Sequence, residues 1–430
     1  MSETKFCKEE YLNHLSEVNR MKIEQFIAEM AKFTDEPGRI TRLPFSDSFY
    51  CANRYVRQVM SEIGLSVSYD KYGTICGHLE GQIKQSIIIG SHYDTVVNAG
   101  KYDGIVGIAV GLAVADHYIR NDITPYYSLD ILALNDEEGV RFNNGFLSSK
   151  VICGYDVSDY KEKQTNKPLG EFIRVETGGT TENIKLDTLL NNAAQYIEVH
   201  IEQGSTLSME NKKIGIVDSI VGIKRATISL LGQSGHAGTT PMGIRSDSLV
   251  AASKIISHIP EIMKKYDGAV CTVGNIQNEP NTVNTIPCKT TFSLDIRSSN
   301  EETINEIFQE ICSYCRSEEI SGFPNSVRSM IDVSLAEHPI MMNEKIIGKL
   351  ESIIFNKSIP YKILSSGAGH DAQIFATKLP TAMIFVPSLN GGISHHPDER
   401  SDKEDILRCV DVLIKYVKQK NCSISHDSTH

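Results

Sequence analysis

Five separated stretches carry side chains able to bind a divalent ion. They are His92 in "GSHYDTV", Asp103 in "KYDG", the run Asp136-Glu137-Glu138, His200 in "VHIEQG" and the doubled His395-His396 in "ISHHPDE". Imidazole combined with carboxylate suits Zn²⁺, and Mn²⁺ is also compatible. Two ions about 3.5–4 Å apart would need a carboxylate shared between them. The run "NDEEG" closes the apolar stretch "YSLDILAL" with three acids. Ionised groups are rarely left beside a buried segment unless they are paired or hold a metal. Taken singly, a histidine is more often a satisfied structural residue than a ligand, so residue types alone suggest this site without assigning it.

The elements around these residues explain how they could meet. "QSIIIGSHYDTVV" contains a β-branched run, read as a buried strand ending near Gly90. "DGIVGIAVGLAVADHYI" follows as a buried helix with Gly107, Gly111 and Ala115 four apart on one face, where small residues allow close backbone packing. "YSLDILALNDEEG" is the next strand. Strand, helix, strand predicts an α/β layer with a largely parallel sheet. His92, Glu137 and Glu138 then fall just beyond strand ends, where open α/β sheets put their ligand crevice. The first 70 residues read mostly as helix. From Ile214 to Ser298 four β-like runs dominate, with helices at "SDSLVAASKIISHI" and "NEETINEIFQEICSYC" completing an α+β module. Helix and strand alternate again after Asp332. The predicted organisation is one α/β domain over 1–213 and 332–430, interrupted by an α+β domain over 214–331.

With 430 residues, the chain exceeds one ordinary core. Its 40% hydrophobic and 23% charged residues describe a soluble globular protein. A formal net charge of −11 gives no electrostatic reason to expect nucleic acid or an anionic membrane. The longest apolar-plus-glycine stretch, Ile105–Ala115, falls far short of the roughly 20 residues of a membrane span. "MSETKFCKEEYLNH" lacks a signal-peptide pattern. The ten cysteines are scattered, and the one close pair, Cys312 and Cys315, is weak evidence for metal. The expected location is the cytoplasm.

Eight ordered motifs make the reading specific: "GSHYDTVVNAGKYDGIVG", "EEGVRF", "HIEQG", "GHAGTTPMGIRSD", "NTVNTIP", "LDIRS", "SGAGHDAQIFA" and "MIFVPSLNGGISHHPDE". Their order resembles that of the dinuclear-metal amidohydrolases acting on N-carbamoyl and ureido compounds, relatives of aminoacylases and metal-dependent exopeptidases. The resemblance spans about residues 36 to 410 and implies an exopeptidase-like catalytic domain with an inserted lid and dimerisation domain. It implies two divalent ions (Zn²⁺ or Mn²⁺) bridged by Asp103, with His92 and His200 on one and Glu138 and His395 on the other. Glu137 is then the general base, Asp94 orients the His92 imidazole, and His236 stabilises the oxyanion from the other subunit of a homodimer. Gln203, Asn284, Arg297, Gly369 and His370 match ligand-contacting positions, Arg297 offering a planar fork for a substrate carboxylate. The doubled histidine leaves the register open; Ser-His-x-Pro-x-Glu selects His395. Departures are Ala99 in place of a glycine and an extra glycine before the terminal ligand.

Within that family the segments "SGAGHDAQIFA" and "GISHHPDER" are nearest to the allantoate-cleaving branch. The implied reaction takes allantoate to ureidoglycine, ammonia and carbon dioxide. N-carbamoyl-L-amino-acid hydrolase or β-ureidopropionase activity is the alternative, since one or two pocket side chains can redirect specificity. Peptide or acyl-amide cleavage is opposed by the continuous "HIEQG" and "GHAGTTPM" motifs. A non-catalytic binding protein would have no need of the Glu137 proton shuttle.

Overall fold

The computed structural model describes residues 22–174, 186–321 and 326–419. These divide into two compact units, one comprising residues up to Asp218 and from Met342, the other Ser219–Met341. The first unit begins with α1 (Ile23–Met30) and α2 (Asp47–Ile63), the latter capped by the Ser46 side chain and ended at Gly64. There follow β1 (Ser66–Tyr69), β2 (Ile75–Leu79), β3 (Ile83–His92), α3 (Ile105–Arg120), β4 (Tyr127–Leu134), β5 (Ala193–Ile201) and β6 (Ile214–Ile220). The second unit holds β7 (Gly222–Leu231), α4 (Ser248–Met263), β8 (Val270–Thr272), β9 (Ile276–Glu279), β10 (Lys289–Ser298), α5 (Glu301–Cys315) and β11 (Arg328–Glu337). The chain then returns through β12 (Ile340–Met341), α6 (Glu344–Asn356), β13 (Tyr361–Ser366), α7 (Asp371–Phe375), β14 (Thr381–Val386) and α8 (Lys403–Val417).

The larger sheet has the order β1-β2-β4-β3-β5-β14-β6-β12, with β13 also paired to β6. Its centre, β4-β3-β5-β14, is parallel, and the pairs β1-β2, β2-β4, β14-β6 and β6-β12 are antiparallel. β4 is buried at every residue, as expected for a parallel strand covered on both faces. The helix α3 is almost wholly buried against these strands. A Cβ at Gly107 would lie 2.2 Å from the Val199 carbonyl oxygen, so glycine sets how closely α3 approaches β5. No helix among the described residues is long and apolar enough to cross a membrane.

The second unit is an antiparallel sheet, β11-β7-β10-β8 with β9 on β10, sharing a core with α4 and α5 through Ala252, Ile255, Phe292, Ile307 and Ile311. Two strands differ from the sequence expectation. Residues 214–220 join the larger sheet, because β6 pairs β14 with Val217 opposite Met383. The run ending at Glu337 is β11 along β7, so the inserted unit extends to Met341. Cys312 and Cys315 are buried free thiols on α5 and join no metal-competent group among the described residues.

Candidate metal centre

The parallel strands bring three of the five stretches side by side. His92 ends β3, and the register Gly90 to Glu198 puts His92 level with His200 on β5. Leu134, the last residue of β4, pairs with His92, and Glu137 and Glu138 follow directly. Asp103 immediately precedes Gly104, the residue capping α3. Gly104 has φ +66°, and a Cβ there would lie 2.4 Å from the His92 carbonyl oxygen and 2.6 Å from its ring. A side chain at this position would drive Asp103 and His92 apart.

Asp103 stands between two donor sets. Its Oδ1 lies 3.0 Å from His200 Nε2 and 3.6 Å from His92 Nε2, and those two nitrogens are 3.3 Å apart. Its Oδ2 lies 3.2 Å from His395 Nε2, which is 3.4 Å from Glu138 Oε1. His92–Asp103–His200 and Asp103–Glu138–His395 each gather ligand atoms within 4.8 Å, and so do His92–Glu137–Glu138. Asp103 Oδ1 is buried without a hydrogen bond despite its close imidazoles. An orphaned carboxylate oxygen facing ring nitrogens fits a cation that would hold them together. His396 points elsewhere: its Nδ1 accepts from the Asp398 N–H at 3.2 Å.

Electrostatics follow from burial and crowding. Burial works to raise the Asp103 carboxyl, but the imidazoles of His200, His395 and His92 outweigh it and hold the group well below the usual range. His395 is pushed up to about 10 by Asp103 and Glu138. Burial, with the Glu138 and Asp371 carboxylates adding to it, raises Glu137 well above an ordinary glutamate. Its Oε2 is 4.0 Å from His92 Nε2.

The surrounding residues hold this cluster from behind. The Asp94 carboxylate accepts the backbone N–H of Glu137 at 3.1 Å and of Glu138 at 3.3 Å. Its closest approach to the His92 ring is through its backbone carbonyl, 3.2 Å from Nδ1, the carboxylate being at 3.7 Å. Asp94 thus braces the glutamate pair more directly than the imidazole. The Gln203 side-chain amide lies 3.1 Å from Asp103 Oδ2 and 3.2 Å from His395 Nε2. The buried His370 ring packs edge-on to His200 with centroids 4.4 Å apart, and burial followed by the neighbouring His200 keeps it well below the usual histidine range. The preceding Gly369 faces Phe146, whose ring would be 3.0 Å from an added Cβ.

Three further acids belong to this setting but were not anticipated. Glu198 is fully buried on β5, accepts the Ala372 N–H at 2.7 Å and shares a strand face with His200. Asp371 accepts from Ser149 Oγ at 2.5 Å, and burial with the nearby Glu198 pushes its carboxyl up to about 8. Glu399 accepts the N–H groups of Tyr102 and Asp103. Two-residue alternation along "YIEVHI" was the available signal for Glu198; the other two are set by long-range contacts.

The remaining expected site residues lie in the second unit. His236 is exposed just beyond β7, bridged to Thr285, and the Ala237 N–H donates to the Asn284 carbonyl at 3.0 Å. His236 and Asn284 are therefore on touching loops. Arg297 on β10 engages Asp295 two-fold, Nε to Oδ1 at 2.8 Å and Nη2 to Oδ2 at 3.4 Å, and Arg225 Nε shares Asp295 at 2.7 Å.

The chain is similar to known proteins over most of its length. Allantoate amidohydrolase of Escherichia coli (strain K12) is 35% identical over 402 residues, covering 92% of this chain and 96% of that protein. An N-carbamoyl-L-amino-acid amidohydrolase of Paenarthrobacter aurescens is 30% identical, covering 94% and 98%. The crystal structure of an amidase of the hydantoinase/carbamoylase family from Burkholderia multivorans superimposes with TM-score 0.81 at 26% identity, over 93% of this chain and 97% of that one. Residues 88–419, which hold every residue of the cluster, match the profile of peptidase family M20/M25/M40, and the chain belongs to that family.

Proposed function

We propose that this protein hydrolyses a ureido C–N bond of a small carboxylate, with allantoate as its substrate. The observation carrying the proposal is the bridging position of Asp103, one oxygen toward His92 and His200 and the other toward His395, which adjoins Glu138. His92, His200, Asp103, Glu138 and His395 would hold two divalent ions, Zn²⁺ or Mn²⁺. Bound there, the ions would polarise the ureido carbonyl and acidify an attacking water. Glu137 takes a proton from that water as its oxygen bonds to the carbonyl carbon. It returns the proton to the departing nitrogen as the C–N bond breaks. The carbamate left by that cleavage then loses carbon dioxide as its remaining C–N bond breaks, so the products are ureidoglycine, ammonia and carbon dioxide.

Arg297 is assigned to the substrate carboxylate, Asn284, Gln203, Gly369 and His370 to further contacts, and His236 to the oxyanion of a neighbouring subunit's site. Val283, Met242 and Ile244 lie near His236 in sequence or on its touching loop and are among the most exposed apolar residues of the inserted unit. That supports a homodimer formed through it. The free thiols of all eight described cysteines support a reducing, cytoplasmic setting.

The test is ammonia release by metal-reconstituted protein from allantoate, β-ureidopropionate and N-carbamoyl-L-amino acids. Allantoate should give the highest kcat/KM. Preference for an N-carbamoyl-L-amino acid would move the chain to the activity named for its Paenarthrobacter relative. No ammonia from any of them would overturn the ureido reading.

A further inference from the structure

The structure assigns Glu399 as the positioning residue of the bridging carboxylate: it clamps the Asp103 backbone to the turn that carries His395. This rests on the metal-centre reading above. Glu399 is 4% exposed and is a member of none of the three metal-competent groups found among the described residues. Its Oε1 accepts two successive backbone N–H groups, from Tyr102 at 2.8 Å and Asp103 at 3.0 Å. Its Oε2 accepts from Ser394 Oγ at 3.1 Å. With three donors satisfying it, the side chain works as a fixed anchor.

The geometry around the anchor is specific. A Cβ on Gly100 would lie 2.3 Å from Glu399 Cβ and 2.4 Å from its Cδ and Oε1, so the chain at 100–103 curls directly over the carboxylate. The turn is itself closed, the Glu399 N–H donating to the His396 carbonyl at 3.0 Å and the Leu389 N–H to the Arg400 carbonyl at 2.7 Å. His395, inside that turn, has φ +54°, a left-handed conformation that needs support from its surroundings. One short segment, residues 394–399, therefore sets both a terminal ligand and the backbone of the bridging one, 296 residues earlier in the chain. The Asp103 side chain is oriented through Oδ2, which accepts from Gln203 Nε2 at 3.1 Å and lies 3.4 Å from Ser394 Oγ, while Oδ1 has no hydrogen bond; Glu399 adds the hold on the backbone. Holding the Asp103 backbone fixes where its carboxylate stands between the two donor sets that would hold the ions.

Zn²⁺ affinity of the full chain, read by competition with a chromophoric chelator, tests the assignment. Losing an orienting partner of a metal ligand costs about 10–100-fold in affinity, and that loss is expected for Glu399→Ala. Glu399→Gln, whose amide oxygen still accepts both N–H groups, should retain most of the affinity. Glu399→Asp is one methylene too short and should behave like the alanine variant. Gly100→Ala, which expels the clamp without changing its chemistry, should also lose affinity. Combined with Glu399→Ala, it should cost no more than the worse single change. Unfolding of the metal-free variants is followed in parallel. A purely structural role would make affinity track metal-free stability, and a Glu399→Gln protein as impaired as Glu399→Asp would refute the clamp. If Glu399→Ala does not fold, the contrast between Gln and Asp decides alone. Wild-type protein that binds no Zn²⁺ would overturn the metal centre and the clamp together. Tight wild-type binding with unaffected variants would overturn only the clamp.

Discussion

Neighbouring acids in "NDEEG" take different positions, and the difference is one of direction. Glu138 adjoins His395, while Glu137 reaches toward His92. Glu137→Gln should therefore keep metal stoichiometry and lower kcat by about 10²–10⁴, the usual worth of a positioned proton carrier. Glu138→Gln should lose metal at a chelator concentration the wild type withstands. Metal analysis beside steady-state kinetics checks both, and equal metal loss in the two variants would remove the division of labour. Asp136 is fully buried with neither carboxylate oxygen hydrogen-bonded, and burial pushes its carboxyl well above an ordinary aspartate. The five candidate ligands and Glu137 could be proposed from sequence because each sits in a short motif whose residues are contiguous. Glu399 was quoted within such a motif, yet its partners at 102 and 103 were invisible. A hydrogen bond between loops 296 residues apart leaves no local pattern.

At the level of elements, β3, α3 and β4 could be read directly because each carries a continuous apolar or apolar-plus-glycine stretch: Ile87–Ile89, Ile105–Ala115 and Ile131–Leu134. β5 was harder. Its buried residues include Gln195, Glu198 and His200, so the side chains that serve the site erase the apolar signature of the strand. β1 and β2 were likewise missed as short strands mixing polar and apolar residues. The outer strand β2 forms a pH-sensitive pair with its neighbour β4. His78 on β2 stands opposite Asp130 on β4, with Nδ1 2.7 Å from Oδ1. The Asp130 hydrogen bond, opposed by burial and aided by Glu80, pushes His78 up to about 9. The unfolded chain should titrate near the ordinary histidine value of about 6.5. A raised folded pKa means the pair's contribution is fully present below that value and is lost as pH rises through about 9. Urea midpoints of wild type and His78→Gln should thus differ most at about pH 6 and converge by about pH 9.5. A gap that stays constant across that range would show that the pair carries no such linkage.

At the level of the whole molecule, the residues given roles in the proposal are divided between the two compact units. His92, Asp103, Glu137, Glu138, His200 and His395 fall in the first unit, and His236, Asn284 and Arg297 in the second. If His236 serves the site of a partner subunit, catalysis needs a dimer, and defects in the two units should complement each other. His236→Ala and Glu137→Gln proteins would each be inactive alone. In a mixed dimer, the His236→Ala subunit keeps an intact Glu137, and its partner supplies an intact His236. One of its two sites is then complete, and the other lacks both groups. Random mixing of equal amounts makes about half the dimers mixed, so about a quarter of wild-type activity should return. The subunits are exchanged by dilution and reconcentration, mixed dimers are confirmed with differently tagged chains, and ammonia release is then measured. Recovery near that level argues for delivery across the dimer. Activity that stays at zero in verified mixed dimers would place His236 and Glu137 in service of the same subunit's site, because one mixed-dimer site would then lack His236 and the other Glu137.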